Sequence, residues 1–257
     1  MESSVSDAGE LTSFRRALQI LDLLSMDGDG MTVEQLAARL GFSSSTTYRY
    51  VRALREEHLV EEIQSGVYHL GVRIMMLARA ARGPANFIQR ARPALEHLTS
   101  VTDSQSFLAR FTDQVVICLD SAEPRVMRPF RIAVGPGDLV PLNVGAAAKA
   151  ILAQLPREHA WSLLKRAQAA DLGMAPRRSR SNWQAEVSEI KRRGYAVSDW
   201  MEDGVRALSA PIFCPRDQLA AVSIAGPVRR LSDERLPSLT RHLCAAAEEI
   251  GKRLSDF

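Results

Sequence analysis

Two helix signals separated by a tight turn lie within residues 32–55, and few folds accommodate them. Thr32 followed by Gln35 forms a capping box, in which the threonine hydroxyl takes an otherwise unpaired first-turn N–H and the glutamine reaches back to the cap. Val33, Leu36, Ala37 and Leu40 recur at helical steps, so a short helix with one buried stripe is predicted, and Gly41 stops it. After Gly41-Phe42, Ser43 opens a further helix through Arg55, with Val51 and Leu54 facing inward. Helix, tight turn and helix at this separation have helix-turn-helix spacing.

The surroundings complete a small domain. Phe14, Ala17, Leu18, Leu21 and Leu24 predict a preceding helix that begins after Thr12 or Ser13 and ends in the loop Asp27-Gly28-Asp29-Gly30. Downstream, Val60-Glu61-Glu62-Ile63 and Val67-Tyr68-His69-Leu70 flank Gln64-Ser65-Gly66, which predicts a hairpin, the wing of a winged helix. The third helix starts with small hydroxyl side chains at its positive dipole end, where the backbone comes close to phosphates and base edges. Arg39, Arg49, Arg52 and Arg55 occupy a stretch without acidic residues, although the net charge of the 257-residue chain is only +3. Phosphate binding depends on such local clustering, not on a global excess. Taken alone, the third helix reads equally as a capped helix with a solvated basic face. With a wing beside it, the domain reads as a duplex DNA reader, and the candidate contacts are Thr32, Ser43, Ser44, Ser45, Thr46, Thr47, Tyr48, Arg49, Arg52 and His69.

Ile74, Leu77, Ala78 and Ala81 predict a helix from Val72 to Arg82, and Gly83-Pro84 breaks the chain ahead of Asn86. An apolar helix face beyond a small DNA-reading domain needs a partner, and a second copy supplies one for dyad-symmetric sites. The expected layout is a disordered stretch at 1–10, the winged helix-turn-helix at 11–71, a linker helix at 72–85 and a second domain at 86–257. The first ten residues have neither a basic flank nor an apolar core and do not read as a signal peptide, and no apolar run has membrane-spanning length. Cys118, Cys214 and Cys244 are too scattered for a disulfide framework or a zinc site, which fits a reducing cytoplasm.

In the second domain a helix is predicted over Phe87 to Val101 with Pro93 inside it. β-rich runs at 107–111, 115–119 and 128–132 then read as adjacent antiparallel strands. Gly145, Ala146, Ala147 and Ala148 precede Lys149; such small residues permit close approach of a polar ligand to a helix start, and equally permit bland packing. Helices near 158–169 and 183–193 enclose a basic loop, Pro176-Arg177-Arg178-Ser179-Arg180, that reads as solvated or interface surface. Strands at 195–197, 207–213 and 219–225 and a last helix over 232–254 complete an α+β domain, an antiparallel sheet flanked by helices.

No catalytic residues, metal site or cofactor are expected. His58, His69, His97, His159 and His242 have no partner at informative spacing, and Cys118 and Cys214 lie in β-rich runs as small buried hydrophobes. Gly135, Gly137 and Gly145 do not reproduce a phosphate-binding fingerprint. Beside a DNA-reading domain, the second domain has three uses open to it: to sense a small molecule, only to oligomerise as part of an adaptor, or to act as an enzyme fused to the DNA reader.

Taken in order, Arg16-Ala17-Leu18-Gln19-Ile20-Leu21, Ser45-Thr46-Thr47-Tyr48-Arg49, Tyr68-His69-Leu70-Gly71, Pro141-Leu142 ahead of Lys149-Ala150, Gly194-Tyr195-Ala196-Val197, Ala210-Pro211 and Ser223-Ile224-Ala225-Gly226-Pro227 are similar to the isocitrate lyase regulator (IclR) family. The resemblance covers nearly the whole chain. It implies a winged helix-turn-helix joined by a linker helix to a GAF-like effector domain, dimers or tetramers on DNA, and transcription, repressed more readily than activated, under control of a small metabolite. It also implies an effector site at Gly145, Ala146, Ala147, Asp199, Ala207, Ser223 and Ala225.

This chain departs from the family pattern. Ala207 stands where Cys or Ser is frequent, Ala225 where a second serine occurs, and Ala148 where glycine is usual. The acidic stretch from Ser198 to Gly204 is one residue short, with Trp200 and Met201 near the expected carboxylates. Fewer hydrogen-bonding side chains and more apolar surface imply an organic acid with an aromatic or aliphatic body, its carboxylate on backbone N–H groups near Gly145 to Ala147. With Trp200 in a core or interface instead, a small hydrophilic acid is expected.

Overall fold

The structure, a computed structural model, describes residues 3–81, 87–112, 115–124, 134–170, 177–200, 204–214 and 219–255, apart from the side chains of 3–12, Ala81 and Trp200. The chain divides into two compact units, Met1–Gly83 and Pro84–Phe257, where the sequence places the divide at 85/86.

The first unit comprises α1 (Ser3–Met26), β1 (Met31–Thr32), α2 (Val33–Leu40), α3 (Ser44–Glu56), β2 (Val60–Gln64), β3 (Val67–Leu70) and α4 (Val72–Ala81). The capping box at Thr32 and Gln35 forms, and Gly41 ends α2 at a left-handed φ of 67°, a conformation that costs glycine nothing. Ser43 caps α3 by accepting the Thr46 N–H at 3.2 Å. The buried stripes of these helices and the hairpin converge on one core of Ile20, Leu24, Met31, Leu36, Val51, Leu54, Val60 and Tyr68.

Three features differ from the sequence reading. First, α1 starts at Ser3, so residues 3–10, expected to be disordered, are helical. No proline interrupts that stretch, and Gly9 costs only about 1 kcal/mol against Ala. Second, Phe14 and Leu18 are exposed, and the buried line runs through Ala17, Ile20, Leu21 and Leu24. A helix turns only one stripe to so small a core, and Ile20 centres it. Third, Met31 pairs with Tyr68 and Thr32 with Val67, adding β1 to the hairpin in a sheet of order β1-β3-β2. Two residues are too few for alternation to announce a strand.

The second unit comprises α5 (Phe87–Thr102), β4 (Gln105–Thr112), β5 (Val115–Ala122), β6 (Leu139–Val140), α6 (Gly145–Leu152), α7 (Arg157–Ala170), α8 (Arg180–Arg193), β7 (Ala196–Trp200), β8 (Val205–Phe213), β9 (Leu219–Pro227), a 3-10 turn (Asp233–Arg235) and α9 (Leu236–Ser255). The strands form one six-stranded antiparallel sheet of order β6-β5-β4-β9-β8-β7. Alternation along each strand gives the sheet two apolar faces. On one, Leu108, Leu208, Val222 and Ile224 pack against Leu95 and Leu98 of α5 and Leu239, Leu243 and Ile250 of α9. On the other, Ala109, Val116 and Ala221 lie under Ile151 and Leu152 of α6, Leu163 and Leu164 of α7 and Trp183 of α8. β4 and β5 are neighbours, as expected; the run at 128–132, expected to be a third strand beside them, lies outside the described residues. Among the described residues no helix is long and apolar enough to cross a membrane.

Candidate functional site

Helix α3 turns Thr47, Val51 and Leu54 into the core and leaves Ser45, Tyr48, Arg49 and Arg52 exposed along one line at three- and four-residue steps. Ser44 is exposed beside that line. Thr47, expected to face DNA with the other hydroxyls, is fully buried and donates to the Ser43 carbonyl at 3.1 Å, because its position falls on the core stripe. The Ser43 hydroxyl lies 3.1 Å from that of Ser45 and donates to that of Thr46 at 2.9 Å, so these three form a local cluster at the helix start. Both polar groups of Thr32 are engaged with Gln35 in the capping box. His69 is half-buried, its imidazole so close to Gly30 that a Cβ there would meet it at 2.5 Å. Thr32 and His69 thus have contacts within the domain itself.

The arginines differ in their surroundings. Acidic residues from either side of the arginine-only stretch return to it in space: Asp27 meets Arg39 at 3.7 Å, Glu56 meets Arg52 at 3.0 Å and Glu62 meets Arg55 at 2.9 Å. Glu62 also takes the Gly66 N–H at 2.8 Å, holding the turn of the wing. Among the described residues Arg49 has no carboxylate partner, and its guanidinium sits 5.7 Å from the centre of the Tyr50 ring.

In the second unit the start of α6 stands over the sheet. Val144, the cap residue, has no side-chain acceptor, so the first-turn N–H groups of α6 have no capping side chain. Gly145 opens the helix at a positive φ of 79°, which disfavours any side chain there. A cavity of about 130 Å3 lies between this helix start and the strands. Phe107, Cys118, Val140, Val144, Val205 and Ala207 are among its walls, and Gly145, Ala146 and Ala147 close the helix side.

Of the expected effector residues, Gly145, Ala146, Ala147, Ala207, Ser223 and Ala225 come together at this cavity. Asp199 does not. Ser198 pairs with Ala207 and shares its face, whereas Asp199 pairs with Arg206, and alternation turns both to the opposite side of the sheet. There Arg206 donates to Asp199 at 2.6 Å, to the Leu231 carbonyl at 2.9 Å and to Asp233 at 2.6 Å. Ser198 is the lining hydroxyl that the sequence reading misses, along with apolar walls such as Phe107, Val140 and Val205; the signal for Ser198 was its place two steps along the strand from Ala196 and opposite Ala207. Met201 and the Trp200 side chain lie outside the described residues.

Few polar groups reach the cavity. Ser198 is 9% exposed, and its hydroxyl has no hydrogen-bond partner among the described residues. Ser223 donates to the Ser209 hydroxyl at 2.9 Å, and Ser209 donates to the Val222 carbonyl at 3.2 Å. Burial, with Asp138 nearby, pushes the Cys118 thiol up to about 12, so it is neutral. Among the described residues no charged side chain lines the cavity. The nearest cation by sequence, Lys149, is drawn off: its ammonium donates to the Val197 carbonyl at 3.0 Å and meets Glu186 at 2.8 Å. Glu186 also holds Arg178 at 3.2 Å, and Arg178 donates to the Asn143 carbonyl at 2.9 Å. Part of the basic loop expected to be solvated or interface surface is therefore a half-buried tie within the unit, because Glu186 of α8 supplies the counter-charge.

Comparison with known proteins accords with both units. The family described as bacterial transcriptional regulator IclR C-terminal matches residues 80–252, and the IclR helix-turn-helix domain matches residues 13–63. The chain is 28% identical over 247 residues to the HTH-type transcriptional regulator BhcR of Paracoccus denitrificans, covering 95% of this chain and 88% of that protein. It is 26% identical over 247 residues to the transcriptional repressor IclR of Escherichia coli, covering 94% and 89%. Among solved structures, an IclR regulator from Alicyclobacillus acidocaldarius aligns with a TM-score of 0.79 at 24% identity, covering 94% of this chain and 98% of that one. An IclR homologue of Microbacterium hydrocarbonoxydans complexed with 4-hydroxybenzoate aligns with a TM-score of 0.77 at 19% identity, covering 95% and 100%. With both family domains matched in order along it, the chain belongs to the IclR family of bacterial, DNA-binding transcriptional regulators.

Proposed function

We propose that the chain is a repressor whose hold on its operator is modulated by a small organic acid bound beneath α6. The cavity carries this reading: apolar walls, uncapped N–H groups of α6 at one side, and the unpartnered Ser198 hydroxyl at another. A helix start of this kind favours a carboxylate through its N–H groups and its dipole. A cationic ligand would be buried without a counter-charge, at several kcal/mol. The volume, about 130 Å3, is close to the ~150 Å3 of an apolar cavity that admits benzene, so one ring or an aliphatic body of similar bulk fits. The 4-hydroxybenzoate held by the Microbacterium homologue is of that size, and the relatives named as repressors support the sign of regulation.

On the DNA side, the line Ser45, Tyr48, Arg49 and Arg52 enters the major groove, with Arg49, which no carboxylate holds among the described residues, taking a base edge or a phosphate. Operator binding uses at least a dimer, because one recognition helix reads too few base pairs for specificity in a genome. Exposed apolar side chains on α1 (Phe14, Leu18) and on α4 (Val72, Met75, Met76, Leu77) provide surface for a second copy.

Thermal melting of the full chain against a panel of organic acids tests the reading. A specific stabiliser is expected, since a ligand that binds only the folded state raises its stability. A panel in which no acid moves the melting temperature contradicts it and favours an adaptor without an effector.

A further inference from the structure

The hydroxyls beneath the cavity have a direction. Ser209 is fully buried, and its one proton goes to the Val222 carbonyl at 3.2 Å. It has only lone pairs left for Ser223, so Ser223 donates to it, at 2.9 Å. The single Ser223 proton is thereby committed, and the oxygen that Ser223 shows to the cavity is an acceptor. Its neighbours on the floor, Phe107, Ala207 and Ala225, bring no polar side chain to change that.

We propose that the effector carries a hydrogen-bond donor at the end that meets Ser223, and that it is a hydroxy acid, not a keto acid or an unsubstituted one. The inference rests on the reading of the cavity as an acid site. The donor is a neutral hydroxyl, since an ammonium would find no acidic side chain among the described lining residues. A keto oxygen would face the Ser223 lone pairs. To receive it, Ser223 would have to turn its proton away from Ser209, losing a buried hydrogen bond. Ser198, with donor and acceptor both free, accepts either kind of ligand and does not discriminate. The α6 N–H groups are donors and take the carboxylate, so the two ends of the cavity ask for opposite hydrogen-bonding groups.

Calorimetric titration of the full chain with two matched sets of acids decides the matter. One set is benzoate, 3-hydroxybenzoate, 4-hydroxybenzoate and 4-methoxybenzoate; the other is pentanoate, 4-hydroxypentanoate and 4-oxopentanoate. In at least one set a hydroxy acid is expected to bind about five- to tenfold tighter than its unsubstituted and acceptor-only counterparts. Ser223→Ala should erase that preference. Ser209→Ala, which releases the Ser223 proton to turn into the cavity, should shift the preference toward the oxo or methoxy acid, a response that loss of packing alone does not produce. If either variant fails to fold, the wild-type ranking decides. Acids that bind with equal affinity, or an oxo acid that binds tightest, overturn the donor inference and leave the acid-binding reading standing. No binding by any acid in either set overturns that reading, and this inference with it.

Discussion

Among the described residues Arg49 is the exposed α3 arginine that no carboxylate holds, so its replacement should matter more than that of its neighbours. Arg49→Ala is expected to weaken operator binding by about 1–3 kcal/mol if the guanidinium reads a base, measured by fluorescence anisotropy on a duplex from upstream of the gene. Arg52→Ala, which gives up a side chain shared with Glu56, should cost less. An Arg49 variant that folds and binds like the wild type rules out this role. At the cavity, the Cys118 thiol stays protonated to about 12, whereas an unfolded cysteine ionises near pH ~8.5. Between these values the folded state holds the extra proton, so stability declines as pH rises through that window. Urea midpoints at pH 8 and pH 10 should show a steeper loss in the wild type than in Cys118→Ala; identical slopes would contradict the assignment.

At the scale of elements, α6 matters most, because its start forms one wall of the cavity and, besides its buried apolar side chains, one half-buried carboxylate ties it to α8. Glu186 is shared by Lys149 of α6 and Arg178, while Lys149 also reaches the backbone of β7 one residue before Ser198. Glu186→Ala leaves two largely buried cations without a counter-charge and should lower stability by up to about 3 kcal/mol, reduced by the partial exposure of Glu186. Calorimetric melting checks this, and an unchanged melting temperature would show that the tie is idle. The elements legible in the sequence are those whose signals are local. Thr32 with Gln35, Gly41, Ser43 and the Gly66 turn each state their conformation within a few residues, and α2, α3 and the wing follow. What was not legible depends on distant partners. The two-residue β1 exists only because β3 is there to pair with it, and β9 lies between β4 and β8 although it follows both in the chain. The same cause put Asp199 on the candidate list in place of Ser198: the family resemblance pointed to the carboxylate, but the register with β8 decides which side chain faces the cavity. Likewise the arginine-only stretch looked free of acid until the fold brought Asp27 and Glu62 back to it.

For the whole molecule, the proposed function gives the two units different targets, a duplex and an acid, and calls for a second copy to read the first of these. Val72, Met75, Met76 and Leu77 are each more than half exposed on α4, a large apolar area for one short helix to leave in water. Met75→Lys with Met76→Lys is expected to shift the chain toward monomer in sedimentation velocity and to weaken operator binding in proportion; a double variant that remains dimeric would move the interface elsewhere. The central claim is that occupancy of the cavity alters the hold on DNA. It is tested most directly by titrating the full chain into labelled operator duplex with and without the acid that stabilises it best. Coupling between the sites predicts a change in operator Kd of about fivefold or more, in the direction of release for a repressor. An acid that saturates the cavity by calorimetry and leaves the operator Kd unchanged would contradict the account.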